Sequence, residues 1–265
     1  MKIYFLKDTI EDKISKIFFY QFLNEVKKIF EIKIISIFDN HDFSKNSKNI
    51  YILWSSTLNS KYKDFLSSEF KKYNCKFLII EHSVFFRNKR IRVGINGFDY
   101  NNMHAQNNNI NTRLNNDFIS TKTLSKNTII FIQRINSYLH SSNQLEWIEK
   151  KIIENKIFEN IYLKPHPIHL SNLDFKKILL LFCKRNNIKI LDSTKPFLNN
   201  NSTVINYNSS PLIKAAYHKL NFIGYENHYL YKINHLNNID LQKKLLEFEL
   251  DITKINYEKL FDSLF

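Results

Sequence analysis

The sequence predicts an α/β protein built as two successive Rossmann-type halves, each with a parallel sheet, facing a central cleft. Three observations carry this expectation. Short, continuously apolar runs alternate with longer amphipathic ones over residues 3–80 and again over residues 128–223. That alternation marks parallel strands covered by helices on both faces. Between the two series lies an Asn-rich polar stretch, residues 101–116, with little periodicity; so long a loop is a functional or connecting segment. The 265 residues also divide into two halves of ordinary domain size. The expected division is an acceptor-side half at 1–125 and a ligand-binding half at 126–265.

Residues 3–6 read as a strand, and Asp8 or Thr9 is placed to cap the helix after it. Over residues 10–30, Ile14, Ile17, Phe18, Phe22, Val26 and Ile29 recur at helical spacing. Strands are expected at 32–38 and 50–54, and a helix at 61–73 with Phe65, Phe70 and Tyr73 inward. A strand at 75–80 ends at Glu81-His82-Ser83. The rhythm breaks from Val84 to Ser125 and restarts with a strand at 128–133, a helix at 143–154 and a strand at 161–163. A helix at 173–186 turns Phe175, Ile178, Leu179 and Phe182 inward. Strands at 188–191 and 203–207, a helix at 212–219, a strand at 222–223 and a helical tail from Leu241 complete the chain.

Chemistry concentrates where the strands of the second half end. In Lys164-Pro165-His166-Pro167, Lys164 and His166 each precede a proline and are held extended. Neither Pro165 nor Pro167 donates to a ladder, so pairing stops there. A cation and a titratable donor thus stand at the carboxyl end of a strand, where open α/β sheets bind ligands. Such groups suit a phosphate. In Asn208-Ser209-Ser210-Pro211, Ser210 is placed as the cap and Pro211 as the first helical residue. Free amides at a positive helix end make an anion site. An ordinary capped helix gives the same signature. What favours the site is that two strands of one half both end in phosphate-suited groups.

The formal net charge of +14 calls for an anionic partner: nucleic acid, a membrane surface or an anionic substrate. The basic residues are dispersed, the densest run being 88–92, without an aromatic RNA-binding signature, which argues against nucleic acid. No apolar run approaches membrane-spanning length and no signal-peptide pattern is read, so the expectation is a cytoplasmic protein with peripheral contact to the inner membrane. Cys75 and Cys183 lie far apart in apolar contexts and are expected as buried thiols of a reducing compartment. No Asp-x-Asp and no ligand-spaced cluster points to a metal, and no glycine fingerprint points to a dehydrogenase or a P-loop, so no cofactor is expected.

Lys164-Pro165-His166-Pro167 followed by Asn208-Ser209-Ser210 resembles the C-terminal half of bacterial capsule-type polysaccharide glycosyltransferases. Glu81-His82-Ser83-Val84-Phe85-Phe86-Arg87 is similar to the Glu-x-Gly-Phe-x-Arg stretch of that group. Residues 130–133 resemble the strand and glutamine opening its second half, and 215–224 its closing helix, strand and glycine. The group includes Kdo transferases, and related CMP-sialic acid transferases share the His-Pro and Ser-Ser/Thr pair. The resemblance implies the two-domain GT-B fold and transfer of Kdo or a sialic-acid-like sugar from a CMP-activated donor. The acceptor would be a surface polysaccharide or glycolipid, and no metal would be required. It also implies that His166, Ser209 and Ser210 grip the nucleotide, with Lys164, Pro167 and Asn208 beside them. This chain departs from the group at His82-Ser83. It also departs at Gln133-Arg134-Ile135-Asn136-Ser137, where the retaining Kdo enzymes carry a carboxylate.

Glycosyl transfer needs a base for the acceptor hydroxyl and compensation for the departing phosphate. Glu81 is the candidate acid or base, and Asp99, beside two of the three glycines, is the reserve carboxylate. Arg87, Arg90, Arg92, Gln133 and Arg134 are candidates for holding the sugar or an acceptor carboxylate, although arginine clusters are also common on solvated faces. His140 and His169 have no partner spacing and read as surface residues. Two alternatives stay open: a CDP-alditol phosphotransferase of teichoic type, and an assembly subunit that kept the fold without the chemistry.

Overall fold

The structure, a computed structural model, describes residues 2–10, 13–37, 39, 41–43, 48–54, 60–86, 89–96, 103–106, 126–132, 144–166, 173–191, 198–207, 210–226 and 228–265. The chain divides into two compact units. One comprises Met1–Ile110, Ser137–Leu139 and Lys243–Phe265, and the other Asn111–Asn136 and His140–Gln242.

In the first unit, β1 (Ile3–Leu6), α1 (Lys13–Lys27), β2 (Ile32–Ile35), β3 (Ile50–Trp54), α2 (Ser60–Lys72), β4 (Lys76–His82) and β5 (Ile91–Ile95) follow in order. The sheet runs β2-β1-β3-β4-β5, parallel except for β5, which pairs antiparallel with β4. Strands β1 and β3 are buried on both faces, as central parallel strands should be. Alternate residues feed two cores. Ile3, Phe5, Ile50 and Ile52 meet Phe18, Phe22 and Val26 of α1, while Leu6, Tyr51 and Leu53 meet Leu66 and Phe70 of α2.

The sheet corrects several expectations. Ile14 and Ile17 are each 51% exposed, and the buried stripe of α1 is Ser15, Phe18, Phe19, Phe22, Leu23 and Val26. Apolar residues surround this helix almost completely, so periodicity does not choose the face. Ile29 and Phe65 are likewise exposed. Asp8 accepts hydrogen bonds from the Ser36 hydroxyl and from the Ile37 amide (3.0 Å), and Thr9 Oγ1 donates to the Leu6 carbonyl and accepts from the Trp54 amide. Both tie together the carboxyl ends of β1, β2 and β3. Strand β5, inside the stretch read as a break in rhythm, is the antiparallel addition that ends the parallel series.

The second unit contains β6 (Thr128–Phe131), α3 (Gln144–Glu154), β7 (Ile161–Lys164), α4 (Leu173–Arg185), β8 (Lys189–Ile190), β9 (Thr203–Ile205), α5 (Ser210–Tyr217), β10 (Asn221–Ile223) and α6 (Tyr229–Ile233). Its sheet runs β10-β9-β6-β7-β8, every pairing parallel. Ile130, Ile161, Leu163 and Ile205 pack against Ile148 and Ile152 of α3 and Leu179 and Phe182 of α4. Ile129, Phe131 and Val204 pack on the other face with Ala215 of α5. Ile178, expected inward, is exposed. The chain steps outward from β6 through β7 to β8, then returns to place β9 on the opposite side of β6. A doubly wound sheet has its topological switch point there, between β6 and β9.

Helix ends compensate for the scarcity of glycine. After α2, α3, α4 and α5 the chain turns through Asn74, Lys156, Asn187 and Lys219, all with φ between 50° and 56°. The next amide bonds back across the last turn in each case, as in Ile157 to Ile152 (3.0 Å) and Leu220 to Ala215 (3.0 Å). These are left-handed C-terminal caps of the kind glycine ordinarily provides.

After α7 (Asn238–Glu247) the tail returns to the first unit, whereas the sequence division placed it with the second half. Leu250 and Ile91 exchange both backbone hydrogen bonds (2.8 and 2.9 Å). Ile252, Leu260 and Phe261 enter the same core as α1, the last two from α8 (Tyr257–Asp262). The expected continuous helix is therefore two helices separated by the strand-like Leu250 and a 3-10 turn at Ile252–Lys254.

Candidate functional site

The carboxyl edge of the second sheet gathers the groups singled out in the sequence. Strands β6, β7 and β9 end almost flush, Phe131 standing level with Lys164 and Ile130 with Ile205. The Ile132 amide donates to the Lys164 carbonyl (3.1 Å), and pairing then stops at Pro165. Ile161 and Leu163 face α3 and α4, and Tyr162 packs on the α5 face. By strand alternation Lys164 lies on the α5 face too. It is half-buried, and burial lowers its ammonium pKa from the ordinary lysine range. Two residues on, His166 is exposed at the same edge.

Helix α5 spans Ser210–Tyr217, so Ser210, expected as the cap, is a helical residue and Pro211 follows it. Ser210 is exposed at this positive helix end. Asn206, fully buried and not singled out in the sequence, donates from Nδ2 to the Phe131 carbonyl (2.8 Å) and pins β9 to β6 across the switch point. Because β7 and β9 flank β6, their carboxyl ends lie about 10 Å apart, two inter-strand spacings. The Lys164/His166 and Ser210 segments therefore rise from one edge of one sheet.

The opposite face of this edge is aromatic. Tyr207 stacks on Tyr225 (5.1 Å) and takes the edge of Trp147 from α3 (5.1 Å). Lys151 joins Glu226 (2.6 Å) and Glu154 (2.8 Å) beside them. The only cue to this wall is that a tyrosine follows two neighbouring strands at the same offset. Gly224 closes β10 where a methyl group would lie 2.5 Å from Leu212 Cδ2, so the buried Leu212 side chain of α5 occupies the space that a side chain would need.

The first unit treats its candidates differently. Glu81 lies within β4 rather than after it, 9% exposed and level with Arg92 of β5. Arg92, read as a possible sugar ligand, is fully buried, its Nε 3.7 Å from Glu249 Oε1. Glu249 also accepts from the Ser83 hydroxyl and the Val84 amide (3.3 Å), while Arg90 donates to the Glu249 carbonyl (2.9 Å). Burial pushes the Glu249 carboxyl upward, opposed by the Arg92 charge and these donors. Arg90 and Arg92 thus hold the tail onto β4 and β5. His82 sits with Ser15 (3.0 Å), Trp54 and Phe18 in an aromatic surround. Asp99, Arg87, Gln133, Arg134, Pro167, Asn208 and Ser209, and also His140 and His169, lie outside the described residues.

Cys75 and Cys183 are both buried, which pushes each thiol up to about 11 and leaves them protonated at neutral pH. Among the described residues, no group of three His, Cys, Asp or Glu side chains is arranged to hold a metal ion. No family model matches this chain, and no curated protein matches it.

Proposed function

We propose that this protein is a glycosyltransferase that moves a sugar, Kdo or a sialic-acid-like sugar, from a CMP-activated donor to a surface polysaccharide or glycolipid. One observation carries the reading: Lys164, His166 and the start of α5 at Ser210 share the carboxyl edge that flanks the switch point of the second sheet. In the proposed reaction the bond between the anomeric carbon and the phosphate oxygen breaks, and CMP leaves with the electron pair. The acceptor oxygen bonds to that carbon and gives up its proton to a base. The α5 amides, Ser209, Ser210, Lys164 and His166 compensate the charge left on the nucleotide, with Pro167 and Asn208 beside them against it. Gln133 and Arg134, which follow β6, together with Arg87, are assigned to the sugar or its carboxylate. Glu81 and Asp99 are the proposed acid or base.

A donor screen tests the proposal. CMP is expected to raise the melting temperature more than CDP or UDP, and mass spectrometry should detect CMP released from a CMP-sugar. His166→Ala should weaken CMP binding while leaving the melting temperature of the free protein unchanged; an unaltered affinity removes His166 from the site. A preference for CDP-alditols would instead assign the phosphotransferase reading. The burial of Glu81 inside a ladder favours a second reading, a nucleotide-binding subunit without transfer chemistry. Donor hydrolysis by the wild type but not by Glu81→Gln would exclude it.

A further inference from the structure

The outward face of α4 leaves large apolar side chains in solvent beside a block of cations, and we infer that this face docks the protein onto an anionic lipid surface. The helix reads LDFKKILLLFCKR. Leu179, Phe182 and Cys183 face the core. Leu173 (72%), Leu181 (69%), Ile178 (51%) and Leu180 (50%) remain exposed. Scattered exposed leucines are ordinary, but this many on one short helix form a patch, and such patches mark interaction surfaces. Leu173, Lys177, Leu180, Leu181 and Lys184 fall at helical spacing along one stripe. Arg185 bonds Glu149 of α3 (2.7 Å), and α3 adds the exposed Ile153.

The charges select the partner. Lys176, Lys177, Lys184 and Arg185 are all exposed, against Asp174 beside Lys177 (4.0 Å) and Glu149 on Arg185, a balance of four cations against two acids. A second copy of the same face would meet its own charge, on a chain already at +14. An anionic bilayer supplies both the headgroups that neutralise the cations and a hydrocarbon boundary for the leucines. At 13 residues the helix is about 20 Å long, short of the ~30 Å hydrocarbon core. No helix among the described residues is long and apolar enough to cross a membrane. The helix therefore lies in the plane of the interface. This inference stands on α4 alone and survives failure of the nucleotide reading.

The test is sedimentation of the full chain with large vesicles of phosphatidylcholine, with or without about one-third phosphatidylglycerol. The wild type should partition at least about tenfold more strongly to the anionic vesicles, and high salt should weaken that binding. Leu180→Ser/Leu181→Ser and Lys176→Glu/Lys177→Glu should each lower partitioning at least about tenfold without changing the melting temperature, since all four side chains are exposed. Wild-type protein that ignores the anionic vesicles overturns the inference. So does a leucine variant that binds like the wild type, or a concentration-dependent dimer that the leucine changes abolish.

Discussion

Replacing Glu249 by Ala removes the carboxylate that faces the Arg92 guanidinium at 3.7 Å, both side chains being 1% exposed. It also strips the Ser83 hydroxyl and the Val84 amide of their acceptor. Removing one member of a buried ion pair costs about 3–5 kcal/mol, so the loss should fall in that range. Against a total stability of about 5–15 kcal/mol that is a large fraction. Replacing both members, Arg92→Met with Glu249→Leu, removes the pair as a unit and should cost less than the sum of the single changes. Urea unfolding in a Trp147→Phe background is the assay, because the remaining Trp54 lies in the core that the tail completes. A single-variant loss under ~1 kcal/mol, or coupling under ~0.5 kcal/mol in the cycle, would refute the view that this pair clamps the tail onto β4 and β5.

Three further outcomes are expected. Because burial lowers the Lys164 pKa, the folded state holds that proton less tightly than the unfolded chain does, so this group's contribution to stability rises with pH between the lowered value and the ordinary ~10.4. Anion affinity should run the other way, falling as pH climbs through that window; Lys164→Arg should abolish the fall, and titration of CMP binding against pH checks it. Lys156→Gly relieves a left-handed backbone (φ 52°) and should stabilise by about 0.5–1 kcal/mol in thermal unfolding, a loss instead showing that the lysine side chain itself holds the turn. Gly224→Ala forces a methyl group against the buried Leu212 and should cost about 1–3 kcal/mol, with unchanged stability meaning that the Leu212 side chain re-seats freely.

The amino-acid order by itself determined the elements whose signal is local. Strands Ile3–Leu6 and Ile50–Trp54 are continuous apolar runs, and their bounds read directly. Pro165, at which β7 ends, and the Ser-Pro that opens α5 act through fixed backbone geometry, so this strand end and this helix start were legible before any packing was known. Only the tertiary structure decided which face of α1 is buried, because that helix is apolar almost all round and the choice belongs to the sheet beneath it. It also decided that the strand after β4 runs antiparallel, that Arg92 serves Glu249 rather than a ligand, and that Leu250 to Leu264 complete the first unit's core. Those partners stand up to roughly 250 residues apart along the chain, a separation at which no periodicity or capping rule operates and only the closing of a shared core selects who meets whom.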